Sequence, residues 1–432
     1  MPSASVDFIV NRQNLRQCKF VPAALPAELE LQPGQLLLRV DKFAFTANNI
    51  TYAVFGDAMQ YWNFFPAPAG FGRIPVWGFA NVIGSKHAAI KDGERLYGYM
   101  PMSTHLVVQP ERVSETNFLD GVAHRKPLPA AYQLYHRVKP GRITVPERSE
   151  VSADAARTAG SRPHCSADAV SPADPSYNPQ HEDQRALLHP LFMTSFLIQD
   201  FLADNDFFGA GAVLLSSASS KTALGVAFEL KRNQGSKCAV IGLTSARNVD
   251  FCEKLGYYDR VLTYDQLASL PSERPTVFVD MAGEGKLLHD IHHHFRESLK
   301  YSCMVGGTHW EQRETQHKLP AGDTASAQQR GREPADWAAR APTSLRSDAM
   351  TRPGAKPVFF FAPTQIKKRI QNWGQQGMEQ RFAEAWRAFL PSVNGWLQVI
   401  HGRGEAAVKS VYQEVLEGKL KPEQGHMLSL RE

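Results

Sequence analysis

From Ala212 to Ser245 the chain reads AVLLSSASSKTALGVAFELKRNQGSKCAVIGLTS, and its hydrophobic period changes twice. An apolar run, a polar loop, an amphipathic stretch and a second apolar run spell strand, loop, helix and strand. A βαβ unit of this kind takes a right-handed crossover and forces its two strands to be parallel. The pattern then continues. VDFCEKLGYY reads as a helix, DRVLTY and PTVFVDMAG as strands, LLHDIHHHFRESL as a helix and KYSCMVGG as a strand. Further on, PVFFFAP supplies another strand and GMEQRFAEAWRAFL another helix, while LLHPLFMTSFLIQDFLAD forms a helix ahead of the whole series. Alternating strands and helices predict an α/β fold with a doubly wound parallel sheet.

The N-terminal part has a different rhythm. GQLLLRVDKFAF, ANVIGSK, ERLYGYM and THLVVQP are short strand patterns, with Asp92-Gly93 as a tight turn between two of them. Such strands suggest a small closed β architecture. The C-terminal WLQVIHGRGEAAVKSVYQEVLEGKLKPEQGHMLSL holds a strand, a long helix and a last short strand. That last strand needs a sheet to join, and the N-terminal β domain is the natural one.

Two stretches break the globular pattern, Lys139 to Arg185 and Glu311 to Pro357. Both are rich in Pro, Ala, Arg and small polar residues and poor in Ile, Leu and Phe, and bury too little apolar surface to offset their ordering entropy. The expected organisation is a β domain over 1–138 and 394–432, a doubly wound domain over 186–310 and 358–393, and flexible insertions at 139–185 and 311–357.

Composition narrows the function classes. The 432 residues are 43% hydrophobic and 21% charged, as in ordinary globular proteins. A net charge of +5 is too thin to argue for nucleic acid. The five cysteines are far apart in sequence, so neither a disulfide framework nor a structural zinc module is supported. MPSASVDFIVNRQ lacks the pattern of a signal peptide. No apolar run approaches the roughly 20 residues of a membrane helix. The expectation is a soluble cytoplasmic protein.

The loop after the first parallel strand is where a nucleotide-binding unit seats a pyrophosphate on a helix N-terminus. Here it runs Ser216-Ser217-Ala218-Ser219-Ser220-Lys221-Thr222, without glycine. It reads either as a hydroxyl cradle for phosphate or as a polar N-cap cluster. After the second strand come Thr244, Ser245, Ala246, Arg247 and Asn248. An NAD enzyme places an acid there. Hydroxyls with an arginine suit the extra phosphate of NADP, or merely cap a helix.

The order β domain, βαβ domain and return to the β domain resembles the medium-chain dehydrogenase/reductase superfamily, in its zinc-free quinone and enoyl reductase branch. The resemblance is carried by GQLLLRVDKFAFTANNITYA, IPVWGFANVIGS, GERLYGYMPMSTHLVV, LFMTSFLIQDFL and AVIGLTSARNVDFCEKLGYYDRVLTYD. FFFAP, NITYA and TSFLIQDFL resemble more closely a divergent branch known as DUF2855. The resemblance implies a GroES-like β domain beside a Rossmann-type domain. It also implies an NADP(H) site formed by Ser217, Ser219, Ser220, Lys221, Thr222, Thr244, Ser245, Arg247, Asn248, Tyr264, Gly306 and Gly307. In the substrate cleft, Asn49, Tyr52 and Thr194 match positions bordering the reacting carbons. Each also has a structural reading: Asn49 as a turn residue, Tyr52 as a buried aromatic, Thr194 as a helix cap. The zinc ligands of other members are replaced by Phe45-Thr46-Ala47 and Trp77-Gly78-Phe79, so no metal is expected. His292-His293-His294 cannot converge on one ion from a helix and reads as surface or half-buried.

The function expected is a zinc-independent NADPH-dependent oxidoreductase reducing an activated C=C or C=O, of enone, quinone or enoyl type. The alternative is a non-redox lyase or hydrolase, or a binding protein, on a degenerate scaffold. The expected partners are a small-molecule substrate and a second copy in a homodimer, with no nucleic acid or membrane.

Overall fold

The computed structural model describes residues 5–138, 177–234, 238–305 and 352–432. Apolar β-branched runs pair into a parallel sheet of β11 (Ala212–Leu215), β12 (Ala239–Thr244), β13 (Arg260–Thr263), β14 (Thr276–Asp280), β15 (Leu299–Met304) and β16 (Pro357–Phe359). Their order is β13-β12-β11-β14-β15-β16. Side chains alternate between two buried faces. Val213 and Leu215 join one core, with α2 (Glu182–Asp204), α3 (Lys221–Gln234) and α6 (Ala362–Val393) over it. Ala212 and Leu214 join the other, under α5 (Gly285–Phe295). The sheet is covered on both sides, as near-continuous apolar strands require.

The second large sheet is mostly antiparallel. It orders β17 (Gln398–Arg403), β18 (Gln424–Ser429), β3 (Leu36–Phe45), β5 (Pro75–Ser85), β6 (Arg95–Pro101), β10 (Leu134–Arg137), β9 (Asn117–Asp120) and β8 (Pro110–Glu111), with β7 (His105–Val108) also on β3. The C-terminal strand β18 pairs antiparallel with β3 through His426–Phe45 and Leu428–Phe43, so the chain does return to its first domain. A three-stranded sheet of β1 (Val6–Asn11), β2 (Cys18–Pro22) and β4 (Phe71–Gly72) packs beside it. Helix α7 (Gly404–Leu416) fills the core with Val408, Val411, Tyr412 and Val415. Short helices α1 (Ala47–Val54) and α4 (Val249–Leu255) complete the regular elements named here.

Three expectations need correction. Tyr177 to Arg185, expected within the first insertion, belong to the fold. Helix α2 starts at Glu182, whose carboxylate takes a bidentate ion pair from Arg95 at 2.6 and 2.7 Å, while the Arg185 guanidinium lies over the Tyr97 ring. These charges are buried because each has a partner across the domain joint. Second, the segment Pro179–Asp204 is long and apolar enough, by length and composition, to cross a membrane. It lies between the domains, where Leu187, Phe192, Leu197 and Leu202 share one core with Phe79 and Val213. Third, His292 is fully buried. Its Nδ1 lies 3.0 Å from the Pro353 carbonyl, so that nitrogen donates and Nε2 accepts from the Ser302 hydroxyl at 3.1 Å. Burial accordingly lowers its pKa.

Candidate active site

Strand order reverses between β11 and β14, and open α/β sheets bind ligands in the crevice beyond such a switch point. The crevice is braced from below. The Ser216 hydroxyl donates to Asp280 Oδ1 at 2.6 Å and accepts from the amides of Met281 and Ala282. The loop above contains no glycine, yet Ser217 adopts φ 48°, a conformation glycine usually supplies. The Ser217 amide donates to the Tyr264 hydroxyl at 3.2 Å, which anchors this strained residue. Close packing is retained by a glycine elsewhere: a Cβ on Gly242 of β12 would meet Ala218 Cβ at 2.8 Å. Ser220 caps α3, its hydroxyl accepting from the Ala223 amide at 3.3 Å.

Ser217, Ser219, Ser220, Lys221, Thr222, Thr244, Ser245, Arg247, Asn248 and Tyr264 all line one cavity of about 1920 Å³. Ser219 is the hub of the hydroxyl set, 2.9 Å from Asn248 Nδ2 and 3.3 Å from Thr244 Oγ1. Gly306 and Gly307 lie outside the described residues. Burial raises the Tyr264 phenol to about 12.

The two cations behave differently from a simple phosphate clamp. Lys221 Nζ donates to the carbonyls of Gln424 at 2.7 Å and Pro422 at 3.3 Å, and Arg247 Nη2 donates to the Gly418 carbonyl at 3.0 Å. Both reach from the parallel-sheet domain to the turn ahead of β18. Burial pushes the Lys221 ammonium down to about 8, with Glu423 opposing. Between that value and the unfolded 10.5, the unfolded chain holds a proton that the folded one has lost. Stability attributable to Lys221 therefore rises with pH through this window, and its full penalty applies below it. At roughly 1.4 kcal/mol per unit the gain is about 3 kcal/mol. Lys221→Met is expected to flatten this slope, read from denaturant unfolding at about pH 7 and about pH 10.

The same cavity continues into the β domain. Tyr52 on α1 lines it, and its oxygen accepts from Trp77 Nε1 at 3.4 Å. Burial raises the Tyr52 phenol above its ordinary value, while Trp77, Asn48 and Tyr99 partly offset this through hydrogen bonds. Thr194 on α2 also lines the cavity, its hydroxyl donating back to the Pro190 carbonyl at 3.3 Å. It sits well inside the helix and caps nothing.

Asn49 is the exception. Its Oδ1 accepts from the Thr46 amide at 2.8 Å and its Nδ2 donates to the Pro75 carbonyl at 2.9 Å. Both polar groups are committed to backbone, so Asn49 builds the start of α1, and its neighbour Asn48 lines the cavity instead. The spacing Thr46-x-x-Asn49 is a capping-box pattern and was the available signal. Sequence reasoning missed Tyr61, Tyr132, Phe361 and His189, which also line the cavity. Tyr61 and Tyr132 sit on single 3-10 turns with no motif, and His189 lies on the mixed face of α2. Phe361 is the last Phe of the FFFAP string, whose side-chain directions no sequence pattern sets. Among the described residues, no group of three or more His, Cys, Asp or Glu side chains is placed to hold a metal ion.

A GroES-like antiparallel domain joined through a central helix to a doubly wound sheet, with one cavity across both, is the two-domain fold of medium-chain reductases. The sequence matches the family described as a protein of unknown function (DUF2855) over residues 43–158 and 152–421. The chain belongs to that family. No curated protein matches it by sequence. Among solved structures, CurA from Vibrio vulnificus is similar at 11% identity, covering 99% of each chain, with a TM-score of 0.55, or 0.57 for its complex with NADPH. The mitochondrial 2-enoyl thioester reductase heterodimer from Candida tropicalis is similar at 10% identity, covering 99% of this chain and 100% of that one, with a TM-score of 0.50.

Proposed function

We propose that the chain is an NADPH-dependent oxidoreductase that reduces an activated C=C or C=O of a small organic molecule. The observation that carries this reading is the continuity of one cavity from the serine loop at the N-terminus of α3, past Thr194, to Tyr52. The donor set fits a dinucleotide phosphate. Ser219, Ser220 and Thr222 bring hydroxyls to the cavity at the N-terminal end of α3, an end that favours an anion, and Thr244, Ser245, Arg247 and Asn248 suit a ribose phosphate. CurA is solved with NADPH, and a variant of Etr1p, one chain of the Candida tropicalis heterodimer, with NADP and crotonyl-CoA. Bound there, the nicotinamide supplies a hydride. Thr194 would flank the nicotinamide side of the cavity, and Tyr52 would donate a proton or a hydrogen bond to the charge that develops on the substrate oxygen. The expected compartment is the cytoplasm and the expected assembly a homodimer. We propose no metal in the reaction.

A second reading has one observation in its favour: Lys221 and Arg247 spend donors on backbone carbonyls of the C-terminal turn. On that reading the scaffold has lost its dinucleotide and serves a non-redox reaction or binding alone. A panel of enones, quinones and 2-enoyl thioesters with NADPH separates the two, followed as loss of absorbance near 340 nm. Oxidation dependent on one of them supports the reductase. No oxidation with any member supports the alternative.

Arg247 tests cofactor choice. A guanidinium on a phosphate contributes about 1.5–3 kcal/mol, on the order of tenfold to a hundredfold in affinity. Arg247→Ala is expected to weaken NADPH by that factor and to leave NADH nearly unchanged. Equal loss for both would place Arg247 outside the phosphate site.

A further inference from the structure

The substrate end of the cavity is built of rings from both domains. Tyr52, Tyr61, Trp77 and Tyr132 line it from the β domain, and Phe359 and Phe361 from the edge of the parallel sheet. These rings brace one another. Tyr52 stands edge-on to Tyr99 with centroids 5.5 Å apart, Tyr61 edge-on to Tyr132 at 5.8 Å, and Trp77 lies 5.1 Å from Tyr99. Tyr99 and Tyr132 are 4.9 Å apart. Rings held in this way have little rotamer freedom left to lose when a ligand enters. Their polar atoms are neutral and mostly turned on each other: the hydroxyls of Tyr61 and Tyr132 lie 3.3 Å apart, and Trp77 Nε1 donates to Tyr52.

Resting on the reductase reading above, we propose that the reducible group is conjugated to a flat aromatic ring, making the substrates aryl enones rather than short aliphatic enoyl chains. A rigid planar ring gains offset and edge contacts with such walls beyond the burial of its area. A saturated chain of similar size gains burial only, and surrenders its own torsional freedom on binding. The reaction balances as an ordinary conjugate reduction. The C=C accepts a hydride at the carbon bearing the aryl group and a proton at the carbon next to the carbonyl, while NADPH becomes NADP⁺. Tyr52, on the wall of the ring site, is placed to hold the carbonyl oxygen end of such a molecule.

The test compares benzylideneacetone with the straight-chain decenone of equal carbon number, using the full-length protein. Calorimetric binding without cofactor is expected to favour the aryl enone by about tenfold. Phe361→Leu and Phe359→Leu, two conservative variants at separate points of the wall, are each expected to shrink that ratio. Equal affinity for the two enones, or a ratio unchanged in both variants, overturns the proposal. NADPH oxidation is read separately. Equal kcat/KM on both enones overturns the ring site and leaves the reductase reading intact. An aryl preference in binding with no NADPH oxidation keeps the ring site and overturns the reductase reading.

Discussion

Replacing Tyr52 by phenylalanine is expected to lower turnover of an enone with NADPH by about a hundredfold to a thousandfold, the usual cost of removing one oxyanion donor. The Michaelis constant should change far less, because the phenol acts on charge that appears only as the bond is reduced. Geometry gives Tyr52 this task. Its oxygen accepts from Trp77 Nε1 at 3.4 Å, so the phenol's own proton remains to be donated. Its ring is wedged between Tyr61 at 4.8 Å and Tyr99 at 5.5 Å. The pH dependence follows with a definite sign. Burial raises the phenol above its ordinary 10.0, so it stays protonated through the neutral and mildly alkaline range. Assistance is lost only as pH rises beyond that, with no acid limb from this group. A kcat profile that falls at high pH in the native protein and is flat there in Tyr52→Phe would bear this out. A variant with native turnover would mean that water protonates the enolate and Tyr52 only shapes the wall.

The second large effect concerns stability. Asp120 and Arg125 are buried and paired with each other. Arg125 Nε also donates to the Phe64 carbonyl at 2.7 Å, and Asp120 Oδ1 accepts from the amides of Gln109 and Val122. Gln133 closes the loop by donating to the carbonyls of Arg125 and Leu128. This network holds residues 121–133, which bring Leu128 and Tyr132 to the cavity. Arg125→Met is expected to cost about 3–5 kcal/mol, because it strands a buried carboxylate. Adding Asp120→Asn should recover much of that loss, since the amide oxygen keeps its backbone donors and no buried charge remains. Denaturant unfolding of the single and double variants checks both signs. A single variant as stable as the native protein would show that the carboxylate reaches water.

The fold was legible because it rests on periodicity. The run from Ala212 to Ser245 has one register that buries both strand faces, and β11 to β12 pairs in that register from Ala212–Ala239 to Leu215–Gly242. The return of the C-terminal strand was legible for a related reason: an isolated strand has unpaired backbone groups. The start of α2 was not. Glu182 and Arg185 look like solvated charges in one dimension, and Arg95, Lys42 and the ring of Tyr97 give them their buried setting, with half-buried Asp183 paired to Lys42 beside them.

The site divides along the same line. The serine loop and Thr244 to Asn248 occupy fixed offsets from strand ends, so their convergence on one cavity could be read from order alone. Lys221 was assigned by its position beside the loop, but its direction depends on the Pro422 and Gln424 carbonyls some 200 residues away in sequence. Asn49 and Asn48 differ by one helical step, and the choice between them depended on recognising the cap. Tyr61 and Tyr132 come from 3-10 helices of one turn, too short for any periodicity to fix their side-chain directions.

The central claim is that the glycine-free loop still seats NADPH. Titrating NADPH into the purified full-length protein and following its fluorescence tests this without any knowledge of the substrate. The account predicts saturable binding, tighter for NADPH than for NADH and weakened for NADPH by Arg247→Ala. No saturable signal with either nucleotide would contradict it.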